Sequence, residues 1–253
     1  MNQANVRDIL AMVDSFAPFD AALSYDNVGI LVGHPDAPVD TVLVALDLTM
    51  GAVEEAAKLG AQLILTHHPV MFGGRKHMRE DDAEGAVIAA LIRHRMAMIA
   101  AHTNFDAAPG GVSEILASAV SIKQIVPACD GLFAVGGYDG TLRDLERVVR
   151  ERINPHARVY GSDQRIERVA VCGGAGGSFW ADAHAAGANC YLTGEIKHHE
   201  ALEAVQMGLR VIDAGHYETE HLSLNQLACG LQTRANALQY QLQVIVSEFH
   251  PFI

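Results

Sequence analysis

Short apolar runs alternate with amphipathic stretches along nearly the whole chain, and this alternation restricts the fold more than any other feature. "TVLVALDL" (41–48) reads as a buried strand, and "MGAVEEAAKLG" (50–60) as a helix closed by Gly60. "AQLILTHH" (61–68) is a second strand, "EGAVIAALIRHR" (84–95) a helix, "MAMIAAH" (96–102) a third strand and "GGVSEILASAV" (110–120) a further helix. Consecutive strands separated by helices run parallel, because the helix carries the chain back to the edge where the previous strand began. The predicted class is therefore α/β, with helices flanking a mainly parallel or mixed sheet. An amphipathic helix over 4–16 precedes these elements, with Val6, Ile9, Leu10 and Val13 on one face.

Residues 126–131 ("VPACDG") and 135–140 ("VGGYDG") read as a turn-rich patch, beyond which the pattern restarts. Helices are expected over 141–152, 178–187, 198–207 and 219–233, strands over 168–174, 188–194 and 210–216, and a strand-like end in "ALQYQLQVIVSEF". The two halves match in spacing. Asp47 to Gly60 is 13 residues, as is Gly174 to Gly187; Gly60 to Thr66 is six, as is Gly187 to Thr193. Each half then ends a strand in a histidine, His102 or His216, and a carboxylate follows four residues on, Asp106 or Glu220. The pattern predicts an internal duplication: two similar α/β halves, 1–125 and 126–253, with a metal site between them and a C-terminal segment that packs back on the first half.

Bulk properties exclude several functions. The 253 residues suffice for one large domain or two modest ones, and 50% are hydrophobic, enough for a substantial core. A formal net charge of −12 disfavours nucleic-acid or anionic-membrane partners. An anionic small substrate stays compatible if metal ions supply positive charge in a cleft. No run of about 18 apolar residues occurs, and "MNQANVRDILAMVDSFAP" lacks the basic start and apolar core of a signal peptide, so a cytoplasmic protein is expected. Cys129, Cys172, Cys190 and Cys229 contain no C-x-x-C pair, which suggests neither a thiolate zinc site nor a disulfide framework.

In parallel α/β sheets, functional groups gather at the carboxyl ends of strands. His67-His68 end the second strand, His102 the third, and His216 the matching strand of the second half. Each set has a bland reading: a packing pair of histidines, a turn in which Asn104 and Asp106 cap the next segment, a capped helix start near Thr219. Their repeated placement favours a metal centre. Adjacent histidines in extended backbone point to opposite faces, which suits two ions. Asp106 and Glu220 would supply oxygens, and a bridging carboxylate holds two ions roughly 3.5–4 Å apart. The mixed nitrogen and oxygen set suits Zn, Mn, Fe, Co or Ni better than Ca, and the lack of thiolates argues against a closed structural zinc site.

Five stretches add a resemblance: "SYDNVGILVG" (24–33), "THHPVMF" (66–72), "AHTNFDAAPGGV" (101–112), "LTGEIKHHEA" (192–201) and "DAGHYETE" (213–220). In order and content the chain resembles the Nif-three-like dinuclear-metal family, also called the GTP cyclohydrolase I type 2 homologue family, in its short form without an inserted middle domain. The resemblance implies two divalent metal ions per subunit on His67, His68, Asp106, His216 and Glu220, with His102 near them. It also implies a toroidal homohexamer with sites facing an internal cavity. Tyr25 departs from the family pattern, which usually has Trp before Asp-Asn-Val-Gly.

This reading predicts a metal-dependent hydrolase acting on a nucleotide-like or other small substrate through metal-activated water. "TGEIKHHEA" would supply Glu195 as proton carrier, Lys197 for a phosphate, and His198 or His199 as general acid. The glycine-rich "CGGAGGSF" (172–179) reads as a tight turn, or as an anion cradle. Asp26 and Asn27 either orient a metal ligand or form a turn. The alternative function is a non-catalytic metal-binding ring, serving as metal carrier or protein-interaction scaffold.

Overall fold

Caps and glycines set the element boundaries. The Asn5 side chain accepts from the Asp8 N–H at 2.9 Å, and the Asp8 carboxylate accepts from the Asn5 N–H at 2.9 Å, a reciprocal pair that starts the first helix. Thr49 caps the second helix, which ends at Gly60 in the left-handed conformation, φ 67°. Thr141 and Asp144 form another reciprocal cap over the helix that follows.

The structure is a computed structural model and describes residues 2–250. In chain order it begins with β1 (Ala4–Asn5), α1 (Val6–Asp14), β2 (Gly29–Val32), β3 (Pro38–Val39), β4 (Thr41–Ala45) and α2 (Met50–Leu59). Then come β5 (Leu63–Thr66), α3 (Ala83–Arg93), β6 (Ala97–Ala100) and the single turn α4 (Thr103–Asp106). The middle of the chain forms α5 (Val112–Ala119), β7 (Lys123–Ala128), β8 (Phe133–Thr141), α6 (Leu142–Arg152), β9 (Arg158–Tyr160) and β10 (Arg165–Cys172). It continues through α7 (Trp180–Ala185), β11 (Cys190–Thr193), α8 (His198–Gln206), β12 (Arg210–Asp213) and α9 (His216–His221). The chain closes with α10 (Leu224–Ala237) and β13 (Gln243–Val246).

Two units result: Met1–Ala108 with Leu224–Ile253, and Pro109–Ser223. The residue pair 125/126, expected as the boundary, lies inside β7 of the second unit. The first unit carries a five-stranded sheet in the order β13-β4-β5-β6-β2, parallel except for β2 against β6. Alternate strand residues feed opposite faces. Leu43, Ile64 and Met98 pack with Val53 of α2 and with Ile88 and Leu91 of α3. On the other side α10 packs on β13, β4 and α1.

The second unit has a six-stranded sheet, β7-β8-β10-β11-β12-β9, with β10, β11 and β12 parallel and the outer strands antiparallel. Val169, Val171, Leu192 and Ile212 face α5 and α6, while Ala170, Tyr191 and Val211 face α7 and α8. The α/β class with a mixed sheet in each unit is as expected.

Two local expectations are corrected. The patch at 126–140 is not turn-rich: β7 and β8 form an antiparallel hairpin that turns only at residues 129–132. Gly136 and Gly137 masked the strand signal; a Cβ at Gly136 would meet the Lys123 carbonyl oxygen at 2.7 Å, so glycine is what lets the two strands approach. The helix expected over 219–233 is two helices, because the Ser223 N–H and hydroxyl both donate to the Glu220 carbonyl, at 2.9 and 2.7 Å, and end α9. Strand β2, inside "DNVGILVG", carries no signal of its own; with only four residues, it gains its partner from β6 rather than from local periodicity.

Candidate metal centre

Strand register brings the first unit's histidines together. Ala45 pairs with Thr66 and Thr66 with Ala100, so β4, β5 and β6 end level. Two residues beyond those ends stand Asp47, His68 and His102. The donor atoms of His67, His68 and His102 lie within 4.8 Å of one another. His67 and His68 do not point to opposite faces as extended backbone would require. The strand stops at Thr66, the chain bends, and the two ring centroids are 5.1 Å apart. The bend is fixed by the Thr66 hydroxyl, which donates to the His68 carbonyl at 2.7 Å.

Each of these rings is held at Nδ1. His67 Nδ1 is 2.9 Å from the Ala101 carbonyl, which can only accept, so Nδ1 carries the proton. His68 Nδ1 lies 2.8 Å from an Asp47 oxygen. His102 Nδ1 lies 2.9 and 3.0 Å from the two Asp26 oxygens. With Nδ1 donating, the lone pair of each neutral ring is on Nε2, the tautomer that a metal takes when a carboxylate or carbonyl backs the ligand. His67 is fully buried, and its Nε2 faces Asp106 Oδ1 at 3.7 Å.

Asp26 is positioned as firmly as the ring it holds. Its side chain has no exposed surface. It accepts from the Thr103 N–H at 3.1 Å, from the Thr103 hydroxyl, and from the Asn27 N–H at 2.8 Å. These donors and His102 hold its carboxyl well below the usual carboxylate range, against the upward push of burial. The turn α4 is pinned in addition by the Asn104 amide, which donates to the Ala17 carbonyl at 2.8 Å.

The second unit repeats the arrangement with other residues. Cys172 pairs with Thr193 and Thr193 with Asp213, so β10, β11 and β12 also end level. Beyond them stand Gly174, Glu195 and His216. His216 Nδ1 is 3.2 Å from Glu195 Oε2, and His216 Nε2 is 3.1 Å from Glu220 Oε2 one helical turn on. If Nδ1 donates to Glu195, two acceptors face each other at Nε2; a cation or ring protonation resolves that repulsion. Gly174 makes the approach possible. Its φ is 60°, and a Cβ there would lie 1.8 Å from Glu220 Oε1. At Gly174 the glycine-rich turn thus serves close packing of α9, and the Gly173, Gly174 and Gly176 amides donate to Ser113, Thr219 and the Gly174 carbonyl.

Of the residues expected to act, His67, His68 and His102 cluster in the first unit with Asp106 beside them, and His216, Glu220 and Glu195 cluster in the second. His198 is exposed at the start of α8, as is Lys197 before it, and Lys197 Nζ lies 3.9 Å from Glu200. Asp47, which the sequence offers only as a spacing marker, backs His68. Its signal is its place: it stands two residues past the end of β4, as His68 stands two residues past the end of β5. The four cysteines are free thiols. Among the described residues, no helix is long and apolar enough to cross a membrane.

The donor sets fit a metal. Imidazole nitrogens with carboxylate oxygens, and no thiolate, are the ligands of Zn, Mn, Fe, Co and Ni sites. Fold and side chains together define an α/β protein with imidazole–carboxylate clusters at the carboxyl ends of its parallel strands. The model of the Duf34/NIF3 (NGG1p interacting factor 3) family matches residues 4–251, and the chain belongs to that family. A relative from Streptomyces coelicolor, named GTP cyclohydrolase 1 type 2 homolog, is 35% identical over 84% of this chain and 80% of its own. Another of the same name from Campylobacter jejuni is 31% identical over 97% of both chains. The crystal structure of Staphylococcus aureus hypothetical protein SA1388 matches with a TM-score of 0.92 and 30% identity, over 100% of this chain and 99% of that one.

Proposed function

We propose that this chain binds two divalent metal ions through His67, His68, Asp106, His216 and Glu220 and acts as a metal-dependent hydrolase on a nucleotide-like or other small substrate. The observation that carries the reading is the common fixing of four imidazoles: His67, His68, His102 and His216 each have Nδ1 against a carbonyl or carboxylate oxygen. Such backing costs conformational freedom and fixes one tautomer, which a packing histidine has no need of.

The metals, when bound, supply Lewis acidity that activates water at neutral pH. The chain's own residues do the rest. Asp26 and Asp47 hold the His102 and His68 rings, so that neither has to reorganise during reaction. Glu195, with 62% of its side chain exposed, carries protons between the site and solvent. His102 offers Nε2 as a proton acceptor, and exposed His198 acts as general acid toward the leaving group. The matched strand ends of the two sheets also support descent from one duplicated unit, and we infer a homohexameric assembly from the family.

The test is a metal-content measurement on purified protein, followed by an unbiased screen of nucleotides, esters and cyclic amides with Asp106→Ala as the blank. Turnover that needs bound metal and disappears in Asp106→Ala supports the hydrolase. Bound metal with no turnover in any arm leaves a metal carrier or scaffold instead.

A further inference from the structure

Beside the first histidine cluster, two large aromatic side chains stand in solvent. Phe72 is 51% exposed and Tyr25 64% exposed. Their rings meet edge to face with centroids 6.2 Å apart, and the Phe72 ring lies 6.1 Å from His102, again edge to face. Exposed aromatics are costly to leave in water, and most chains turn them inward.

Here the backbone is built to hold Phe72 out. Met71, the residue before it, has φ 58°, a left-handed conformation that non-glycine residues rarely adopt. Both of its peptide groups are tied down. The Met71 N–H donates to Glu84 Oε1 at 2.6 Å, and the Asn27 amide donates to the Met71 carbonyl at 2.9 Å. Glu84 is in turn fixed by Arg75. Val70, two residues before Phe72, is buried at 7% exposure, so the chain had an inward path and leaves it at Met71. Strain of this kind persists where the surrounding contacts impose it, and it gathers at functional sites.

We propose that Tyr25 and Phe72 form a stacking platform for a planar unsaturated ring, of the nucleobase or cyclic-amide class, seated beside His102. This deepens the proposed hydrolase reading and rests on it for the chemistry done to the ring. With the two rings 65° apart, a planar ring can stack face to face on one of them, meet the other edge to face, and turn an edge of N–H and C=O groups to the histidines. A saturated ring of the same polarity offers no such face. Phe72→Leu separates stacking from apolar contact, because leucine keeps the hydrophobic volume and loses the π-face.

The experiment titrates quinazolin-4-one, a planar cyclic amide, and piperidin-2-one, a saturated one, against the full chain by ligand-observed NMR. Metal-loaded and chelator-treated protein are run in parallel, with metal content measured in every sample. The expected result is tighter binding of quinazolin-4-one, weakened roughly tenfold by Phe72→Leu and by Tyr25→Leu, and kept by Tyr25→Trp, with metal content unchanged. Equal binding of the two amides, or variants that bind like the parent, overturns the platform. So does a result in which the variants alter self-association and leave ring binding untouched, since the pair then belongs to an interface between copies. Absence of metal in the parent protein sinks the hydrolase reading alone; the chelator-treated arm still reads the platform.

Discussion

Asp26 and His102 are 76 residues apart in sequence, yet the His102 ring nitrogen sits 2.9 Å from the Asp26 carboxylate. The carboxylate has no exposed surface and takes two further donations from Thr103. Replacing it by alanine frees the ring and strands the Thr103 donors. Asp26→Ala should weaken metal binding by roughly 10–100-fold if His102 contributes to the centre. It should also lower unfolding free energy by about 1–3 kcal/mol. Metal titration and urea denaturation of the same protein measure the two effects separately.

Asp47 backs His68 as Asp26 backs His102, but from a more exposed position, with 42% of its side chain in solvent. Asp47→Asn keeps an oxygen that can accept from Nδ1, whereas Asp47→Ala removes it. Metal affinity should therefore fall in the order parent, Asn, Ala, with the full loss roughly 10–100-fold. Equal affinity in all three would show that His68 needs no support.

Gly174 stands where any side chain would strike Glu220 Oε1, at 1.8 Å. Gly174→Ala forces Glu220 off His216 and places alanine at φ 60°, at a backbone cost of about 1–2 kcal/mol. The expected protein is folded by circular dichroism and binds less metal than the parent. Full metal content in this variant would remove Glu220 from the ligand set.

Metal bound to the folded chain and not to the unfolded one must stabilise it. At free metal 100-fold above Kd the gain is about 2.7 kcal/mol, and chelation should reverse it. Thermal melts with and without chelator read this directly, with no assay of activity. His67→Ala combined with Glu220→Ala should melt at the same temperature in both conditions.

The cap of α6 makes a pH prediction free of metal. The Thr141 N–H and hydroxyl donate to the Asp144 carboxylate and hold its pKa below the model-peptide value of 3.8. A depressed folded pKa contributes stability that is present above the unfolded pKa and lost as pH falls through the folded value. Asp144→Asn should thus be less stable than the parent near pH 7, and the gap should close below the ordinary carboxylate range. Thr141→Ala, which removes the cap hydroxyl, should cost about 1 kcal/mol. Denaturation midpoints across pH 2–7 test both.

The α/β class, most helix and strand positions and the donor residues were legible in the chain itself. Apolar runs as short as "LILT", bounded by turn signals, read as buried strands, and helix-forming stretches between them favour parallel pairing. Histidines directly after such runs must stand at the sheet's carboxyl edge. None of this requires knowledge of what lies opposite, because side-chain period and strand direction are local properties. What the tertiary structure decided was relational. That β4, β5 and β6 end level, that Ala101 and Asp47 hold the His67 and His68 rings, that Asp26 reaches His102 and Gly174 makes room for Glu220, all depend on contacts between segments distant in sequence. Local periodicity carries no record of those contacts, since hydrogen bonds and steric clearances are properties of pairs, and only the folded chain brings the pairs together.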